Sequence, residues 1–229
     1  MMKKIGILGG ISSASTIQYY KTILDMYYKK FSDYYYPEII INSLNFQYFT
    51  NLENEHKTSE YINYIINGIN SLQKSGADFV IMAANSPHSV FHSIKQQIDL
   101  PVLSIVDAAA EECSRLKLKK VLLTGIKYTM QSSFYQKGFE SFGIEVLTPS
   151  EKHQDKINSI IFSELVLNRV TENTRENFRE ILSSYDVDGV ILGCTELPLL
   201  LNQKDMKLPL IGTLKLHCKA ALSYALAES

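Results

Sequence analysis

Three apolar segments from the first half of the 229-residue chain recur in the same order in its second half. Residues 3–9 match 119–125, residues 78–84 match 188–194, and residues 100–103 match 208–211. A single match could arise because buried parallel strands resemble one another. Three matches at similar offsets indicate an ancestral duplication, and the offset is far longer than a solenoid repeat. The sequence therefore predicts two similar domains, one comprising residues 1–107 and 214–229 and the other residues 108–213.

Short apolar runs alternate with longer amphipathic segments along the whole chain. Tyr61, Ile65 and Ile69, for example, recur at helical spacing. Such alternation predicts an α/β fold in which helices cover parallel sheets. The predicted strands cover residues 4–8, 38–44, 78–83, 101–105, 120–124, 145–147, 189–193 and 208–211. The predicted helices include residues 15–28, 57–75, 89–97, 107–115, 131–142, 156–167 and 175–185.

The composition limits the partners of the chain. Its net charge of −1 and pI near 6.5 provide no electrostatic footprint for nucleic acid or an anionic membrane. No apolar stretch reaches the length of a membrane span, and the N-terminal apolar run is too short for a signal peptide. The three cysteines are widely spaced without a CxxC pair, which favours a reduced, cytoplasmic protein without disulfides or structural zinc. We therefore expect a small-molecule ligand, with neither a nucleic-acid nor a membrane partner.

Cys194 follows one of the repeated strands and precedes a short polar segment. Ligands of open α/β sheets bind beyond the carboxyl ends of the strands, so the matched strand ends of two domains would converge on one cleft. A thiol beside backbone N–H groups at such a point can have a pKa below its free value of about 8.5. A free cysteine is often only a small buried hydrophobe, an interpretation that fits Cys113 and Cys218 in their amphipathic helical patterns. For Cys194 we favour a functional role.

Polar residues also follow the matched strand of the first half. Burying the polar side chains of Asn85 and Ser86 at the end of a strand costs free energy unless they bind a partner. They could also simply cap the following helix. His88 could carry a proton, but a histidine in a first helical turn is more often structural. The loop at residues 9–13 lacks the GxGxxG spacing of a dinucleotide site, so no nucleotide cofactor is predicted. This loop and residues 125–129 could instead present backbone amides to a carboxylate.

Several short motifs together resemble those of the aspartate/glutamate racemase family. They are Ile5-Gly6-Ile7-Leu8-Gly9-Gly10, Asn85-Ser86-Pro87-His88, Lys127-Tyr128-Thr129-Met130, Lys156-Ile157-Asn158 and Gly193-Cys194-Thr195-Glu196. Each motif is weak alone, but their order and spacing through nearly the whole chain are specific. The resemblance implies a homodimeric isomerase with two Rossmann-like domains and the substrate in the cleft between them. It also implies that neither pyridoxal phosphate nor a metal is needed.

The resemblance further implies roles for individual residues. Two cysteines on opposite faces of an amino acid would act as base and acid at Cα, and Cys194 matches the second of them. The implied substrate-binding residues are Asn85, Ser86 and Thr195 for the α-carboxylate or ammonium, Lys156 for the other carboxylate, and the Ile11 backbone, Thr129 and Glu196 within the same pocket. Lys156 could equally be a solvated helix residue.

One departure from the family pattern concerns the first cysteine, whose position is occupied by Ala84. An alanine side chain neither accepts nor donates a proton. The chain could be a racemase with a substitute acid such as Ser86, His88 or a water, or an engineered Cys-to-Ala variant. It could also be a single-cysteine decarboxylase similar to the arylmalonate decarboxylases, or a non-catalytic protein that binds an amino acid or dicarboxylate. We predict an amino-acid racemase of the aspartate/glutamate type that is one-sided or impaired. Gly212, where relatives often carry an acidic residue, would leave its pocket less charged.

Overall fold

The computed structural model describes residues 2–167 and 169–227. The chain divides into two compact units, of which the first comprises Met1–Ile105 and Leu214–Ser229 and the second comprises Val106–Thr213. Each unit contains one four-stranded parallel sheet. The predicted α/β fold with parallel, Rossmann-like sheets is therefore confirmed. Within the described residues, no helix is long and apolar enough to cross a membrane.

The strands of both sheets lie within or beside the segments predicted from the sequence. The first sheet has the order β2-β1-β3-β4 and the second the order β6-β5-β7-β8, so the two units share one strand order. The strands of the described residues are β1 (Ile5–Gly9), β2 (Ile39–Ser43), β3 (Phe79–Met82), β4 (Val102–Leu103), β5 (Lys120–Thr124), β6 (Glu145–Leu147), β7 (Gly189–Leu192) and β8 (Leu210–Gly212).

Helices connect successive strands in both units, as parallel pairing requires. The α-helices of the described residues are α1 (Ser13–Phe31), α2 (Phe46–Asn54), α3 (Thr58–Lys74), α4 (Phe91–Lys95), α5 (Ile105–Arg115), α6 (Lys127–Gln131), α7 (Phe134–Glu140), α8 (Glu151–Ser163), α9 (Glu172–Ser183), α10 (Leu197–Leu200) and α11 (Thr213–Leu226). Short 3₁₀ turns occupy Ser86–Val90, Leu165–Leu167 and Gln203–Asp205.

In the first unit, helices bury both faces of the sheet. Ile5 and Ile7 of β1 pack in one cluster with Tyr19 and Ile23 of α1 and with residues of α11. The alternate residue Leu8 packs in another cluster with residues of α3. This alternation follows from the two-residue period of a strand. Burial on both faces explains why the repeated segments are apolar throughout.

The second unit is organised in the same way around β5 and β7. Leu122, Val190 and Leu192 pack in one cluster with Ile157 of α8 and Phe178 of α9. All four residues of β7 are buried. The buried strand therefore ends at Leu192, and Gly193 and Cys194 are the next two residues.

The structure differs from the prediction in several segments. The helix predicted over residues 131–142 is interrupted at Ser132 and divides into α6 and α7. The strand predicted over residues 101–105 is only two residues long, because α5 already begins at Ile105. Helix α2 was missed, although Asn45 caps it by accepting a hydrogen bond from the Tyr48 N–H at 2.9 Å.

Candidate active site

Three hydrogen bonds fix the carboxyl end of β7, from which Cys194 projects. The Gly193 N–H donates to the Thr124 carbonyl at 2.7 Å. The Thr124 hydroxyl donates to the Ile191 carbonyl at 2.8 Å. From the opposite neighbour, the Thr213 hydroxyl donates to the Leu192 carbonyl at 3.1 Å. The backbone that precedes the thiol is thus held by β5 on one side and by the first residue of α11, which follows β8, on the other.

Residue 193 must be a glycine because β5 lies too close to it to leave room for a side chain. A Cβ at this position would lie 2.6 Å from the Thr124 carbonyl oxygen, closer than real Cβ atoms approach backbone. The same Cβ would lie 3.7 Å from Thr129 Cγ2. The glycine thus permits the close strand approach and lets Thr129 pack beside the residue that precedes Cys194.

Glu196 accepts hydrogen bonds from the two polar side chains that precede it after β7. Its Oε2 atom accepts a hydrogen bond from the Cys194 thiol at 2.9 Å and another from the Thr195 hydroxyl at 2.6 Å. Thr195 is buried, whereas Cys194 is half-buried and packs beside the apolar cluster that contains Leu192. The three residues predicted for this end of the sheet therefore form one hydrogen-bonded cluster.

The environment raises the pKa of the Cys194 thiol well above its usual value. Burial is the largest cause, followed by the negative charge of Glu196 and the hydrogen bond to it. Hydrogen bonds from the backbone N–H groups of Glu196 and Thr195 lower the pKa, as the sequence suggested, but they are outweighed. The expectation of a depressed thiol pKa is wrong, and Cys194 rests as a protonated thiol beside a carboxylate.

Thr129 brings an unsatisfied hydroxyl to the same end of the second sheet. Its side chain is 1% exposed, and its Oγ1 atom has no hydrogen-bond partner among the described residues. The loop before it is fixed by the Lys127 N–H, which donates to Asn158 Oδ1 of α8 at 2.8 Å. A buried hydroxyl without a partner is costly, so this atom is suited to bind a ligand.

Two other predicted substrate contacts have different surroundings. The Lys156 ammonium is exposed on α8 and donates to Asn177 Oδ1 at 2.9 Å, so its contact is with α9. The Ile11 side chain is buried in the apolar cluster around Leu8. The preceding Gly10 has φ +81°, and a Cβ there would lie 2.3 Å from the Leu44 carbonyl oxygen. The loop at residues 9–13 is therefore packed tightly against the chain that follows β2.

The matched strand end of the first unit contains a carboxyl group that the sequence analysis missed. Asn85 and Ser86 are both buried where the chain leaves β3. Ser86 hydrogen-bonds with the Glu53 carboxyl, and the Tyr61 hydroxyl donates to Glu53 Oε1 at 2.9 Å. Burial raises the pKa of Glu53, whereas the bonds from Ser86 and Tyr61 lower it. The available signal was helical spacing, since Glu53 follows Leu52 and lies four residues after Phe49 on the buried face of α2.

His88 is buried in the first unit with both ring nitrogens engaged. Nδ1 lies 3.1 Å from the Ala84 carbonyl, which can only accept, and Nε2 accepts from the Ile105 N–H at 3.1 Å. These partners fix a neutral ring with its proton on Nδ1. Burial and the neighbouring His217 lower the pKa of His88 to about 3. The structural interpretation of His88 therefore holds, and it has no ring nitrogen left for a substrate.

The other two cysteines are buried free thiols on helices. Cys113 lies on α5 and Cys218 on α11, and neither is exposed. Burial raises the pKa of Cys113 to about 12 and raises the pKa of Cys218 as well. Among the described residues, Cys194 is thus the one thiol at a strand end. The same residues contain no group of three or more His, Cys, Asp or Glu side chains that could hold a metal ion.

Residues 8–221 match the Asp/Glu/Hydantoin racemase family. The chain belongs to this family. A curated relative in the racemase family, the broad specificity amino-acid racemase RacX of Bacillus subtilis (strain 168), is 28% identical over 97% of this chain and 98% of its own length. Among solved structures, an aspartate racemase homologue from Pyrococcus horikoshii OT3 is 37% identical with a TM-score of 0.89, covering 99% of this chain and all of that one. The aspartate racemase of Picrophilus torridus, at 24% identity and a TM-score of 0.75 over 97% of this chain and 94% of its own, shares the fold.

Proposed function

We propose that this racemase-family chain is a cofactor-independent amino-acid racemase of the aspartate/glutamate type, in which Cys194 exchanges the Cα proton of the substrate. The observation that carries the proposal is the shared Oε2 atom of Glu196, which accepts from the Cys194 thiol at 2.9 Å and the Thr195 hydroxyl at 2.6 Å. An acid–base thiol needs a nearby group that can take and return its proton, and Glu196 is within reach.

In the proposed reaction Glu196 first accepts the thiol proton. The resulting thiolate is stabilised by the N–H groups of Thr195 and Glu196, whose hydrogen bonds favour the charged sulfur. The thiolate then removes the Cα proton, and the electron pair left on Cα spreads into the substrate carboxylate. In the opposite direction the protonated Cys194, which is the resting form, donates its proton to the planar carbon.

The proposed substrate contacts involve Thr129, Asn85 and Ser86, and Lys156. The buried, unpartnered Thr129 hydroxyl supports a hydrogen bond to the substrate carboxylate. Burial of Asn85 and Ser86 supports a polar ligand at the matched strand end. Lys156 is proposed for a second carboxylate by family resemblance, and it would have to leave Asn177 to serve that role. Because RacX is described as having broad specificity, the substrate side chain should be tested with a wide panel.

The test is exchange of Cα–H for deuterium, followed by proton NMR with separate L- and D-amino acids. We expect exchange with the wild-type chain and a loss of about 100-fold or more in at least one enantiomer with Cys194→Ser. Cys113→Ala is the matched control, because it removes a thiol that the mechanism does not use. The proposal fails if Cys194→Ser, folded as judged by its melting temperature, exchanges as fast as the wild type.

A protonated Cys194 is also what a single-cysteine decarboxylase would use, so the same samples should be offered an arylmalonate. Release of carbon dioxide without exchange on any amino acid would favour that activity over racemisation. A homodimer and a cytoplasmic location stay predictions from the family resemblance and the cysteine pattern. Sedimentation of the purified chain tests the first of them.

A further inference from the structure

We propose that Asn158 is the positioning residue for the Thr129 hydroxyl, and that it links the motif Lys156-Ile157-Asn158 to the substrate site. The inference rests on the proposed function, in which Thr129 binds the substrate carboxylate. Thr129, Asn158 and Cys194 all belong to the second unit. A positioning residue need not touch the substrate, because it acts by fixing a group that does.

Asn158 caps α6 from a neighbouring helix. A helix is normally capped by the side chain of the residue that precedes it. The residue before α6 is Ile126, whose apolar side chain cannot accept a hydrogen bond from the first N–H groups. Asn158 Oδ1 of α8 takes that role and accepts from the Lys127 N–H at 2.8 Å. The start of α6 is therefore fixed by a residue that lies far along the chain.

Helix α6 depends on such contacts for its position. It has only five residues, and a helix of that length is not stable by itself. Asp155 lies on the same face of α8 as Asn158, three residues before it, and pairs with the Lys127 ammonium at 2.6 Å. Both members of this ion pair are exposed, so it contributes little. The half-buried Asn158 bond is thus the main polar contact between α8 and the start of α6.

Thr129, the third residue of α6, packs where β5 and β7 end. A Cβ added to Gly125 would lie 3.5 Å from Thr129 Cβ, and a Cβ added to Gly193 would lie 3.7 Å from Thr129 Cγ2. The methyl group therefore lies beside the residue that precedes Cys194. The hydroxyl has no hydrogen-bond partner among the described residues. Because no bond holds the hydroxyl, its location depends on where α6 places the Thr129 backbone.

The surroundings of Lys156 support the same assignment. Its ammonium donates to Asn177 Oδ1 of α9 at 2.9 Å, whereas Asn158 bonds to α6. Residues two positions apart on a helix do not face the same side. The motif is therefore joined to α6, and through it to Thr129, by its third residue.

A purely structural cap would have a different signature from a positioning residue. Loss of any cap leaves a backbone N–H unpaired and lowers the melting temperature, whether or not the site is affected. A positioning role adds a dependence on the Thr129 hydroxyl, because nothing is left to position once that hydroxyl is gone. The coupling between variants at the two positions therefore separates the two roles.

The experiment is a double-mutant cycle on the dissociation constants of L- and D-aspartate and L- and D-glutamate. Calorimetry measures them in the Cys194→Ser background, where turnover does not interconvert the ligands. Thr129→Val should weaken binding by about 10-fold, from the loss of one hydrogen bond, and Asn158→Ala by a similar factor. The variant with both changes should bind within about 2-fold of Thr129→Val.

Two further variants complete the cycle. Asn158→Asp retains an acceptor for the Lys127 N–H and should bind within about 3-fold of the parent. Ser159→Ala, at an exposed position of α8, is the matched control and should bind like the parent. An Asn158→Asp variant as weak as Asn158→Ala would contradict the role of the acceptor and overturn the proposal.

The remaining outcomes separate the positioning role from the proposed function. Effects that multiply to about 100-fold in the variant with both changes would make Asn158 a structural cap and overturn the positioning role. If exchange of Cα–H still depends on Cys194, the racemase proposal then stands. Coupled effects on binding without any Cα–H exchange in the wild type would support the positioning role and overturn the racemase. Absence of binding of all four amino acids would overturn the positioning role.

Discussion

The Cys194 thiol donates to the Glu196 carboxylate at 2.9 Å just beyond the end of β7, and the two residues are separated by Thr195 alone. The contact keeps the sulfur protonated, since the negative charge of Glu196 opposes a second negative charge beside it. The Glu196 carboxylate is also an acceptor for the thiol proton. A thiol that is protonated at rest and has a proton acceptor within hydrogen-bond distance is suited to reversible proton exchange with carbon.

Replacing Glu196 with Gln should lower the pKa of Cys194. The substitution removes the charge repulsion and the hydrogen bond to a carboxylate, which are two of the three causes that raise the pKa. The rate of alkylation by iodoacetamide, which follows the thiolate fraction, should reach its midpoint at a lower pH than in the wild type. Cys194→Ala supplies the background rate. A midpoint that stays in place or rises would show that Glu196 does not control the thiol.

Gly193→Ala should destabilise the second unit by about 2 kcal/mol, because the added Cβ would meet the Thr124 carbonyl and force β7 from β5. Gly212→Ala is the matched control at the end of the adjacent strand, where a Cβ meets nothing within 4 Å. Urea unfolding measures both. Equal stability of the two variants would mean that β5 and β7 separate more easily than the structure indicates.

Much of the fold could be predicted from the sequence, because buried parallel strands are apolar on both faces and end in polar residues. The segments that became β3 and β7 were predicted on that ground, and so was the position of Cys194 beyond the second of them. The pKa of Cys194 could not be predicted in the same way. Its direction depends on the side chain of Glu196 turning back toward the sulfur, and spacing along the chain does not reveal that contact.

The carboxyl of Glu53 was missed for a related reason. It lies on α2, whose nine residues mix aromatic and polar side chains, and without the helix its burial could not be anticipated. Glu53 and its partner Ser86 lie far apart in the sequence. Only the folding of the first unit brings the two residues together. Lys156 presents the reverse case, since a family motif suggested a ligand contact and the structure gives the ammonium an exposed partner on α9.

Thr129→Val should weaken substrate binding without weakening the fold. Valine has nearly the same shape, and the hydroxyl it replaces makes no hydrogen bond to the part of the chain that the structure describes. We expect an unchanged or slightly higher melting temperature, together with a rise in KM of about 10-fold from one lost hydrogen bond. Thr174→Val serves as a comparison, because the Thr174 hydroxyl is bonded to Glu164. A fall in melting temperature with an unaltered KM would assign Thr129 to the core.

Acidification should destabilise the first unit through two buried, neutral histidines. Their rings lie 5.7 Å apart, and burial is the main reason why the pKa of His88 falls to about 3 and that of His217 to about 4. The unfolded chain takes up protons near pH 6.5 whereas the folded chain does not, so stability is present above that pH and lost below it.

The loss should approach about 2 kcal/mol per histidine by pH 5. Denaturant unfolding at a series of pH values measures it, and His217→Asn should flatten the dependence. His92→Gln, an exposed histidine, should leave the slope as it is. A flat profile between pH 7 and pH 5 in the wild type would contradict the neutral pair.

The most direct measurement for the central claim is proton NMR of Cα–H/D exchange with the wild type and Cys194→Ser side by side, on each enantiomer of an amino-acid panel. Exchange in the wild type and its loss in Cys194→Ser for one enantiomer is the result predicted here. Equal exchange in a folded Cys194→Ser chain would contradict the assignment of Cys194 as the acid–base group.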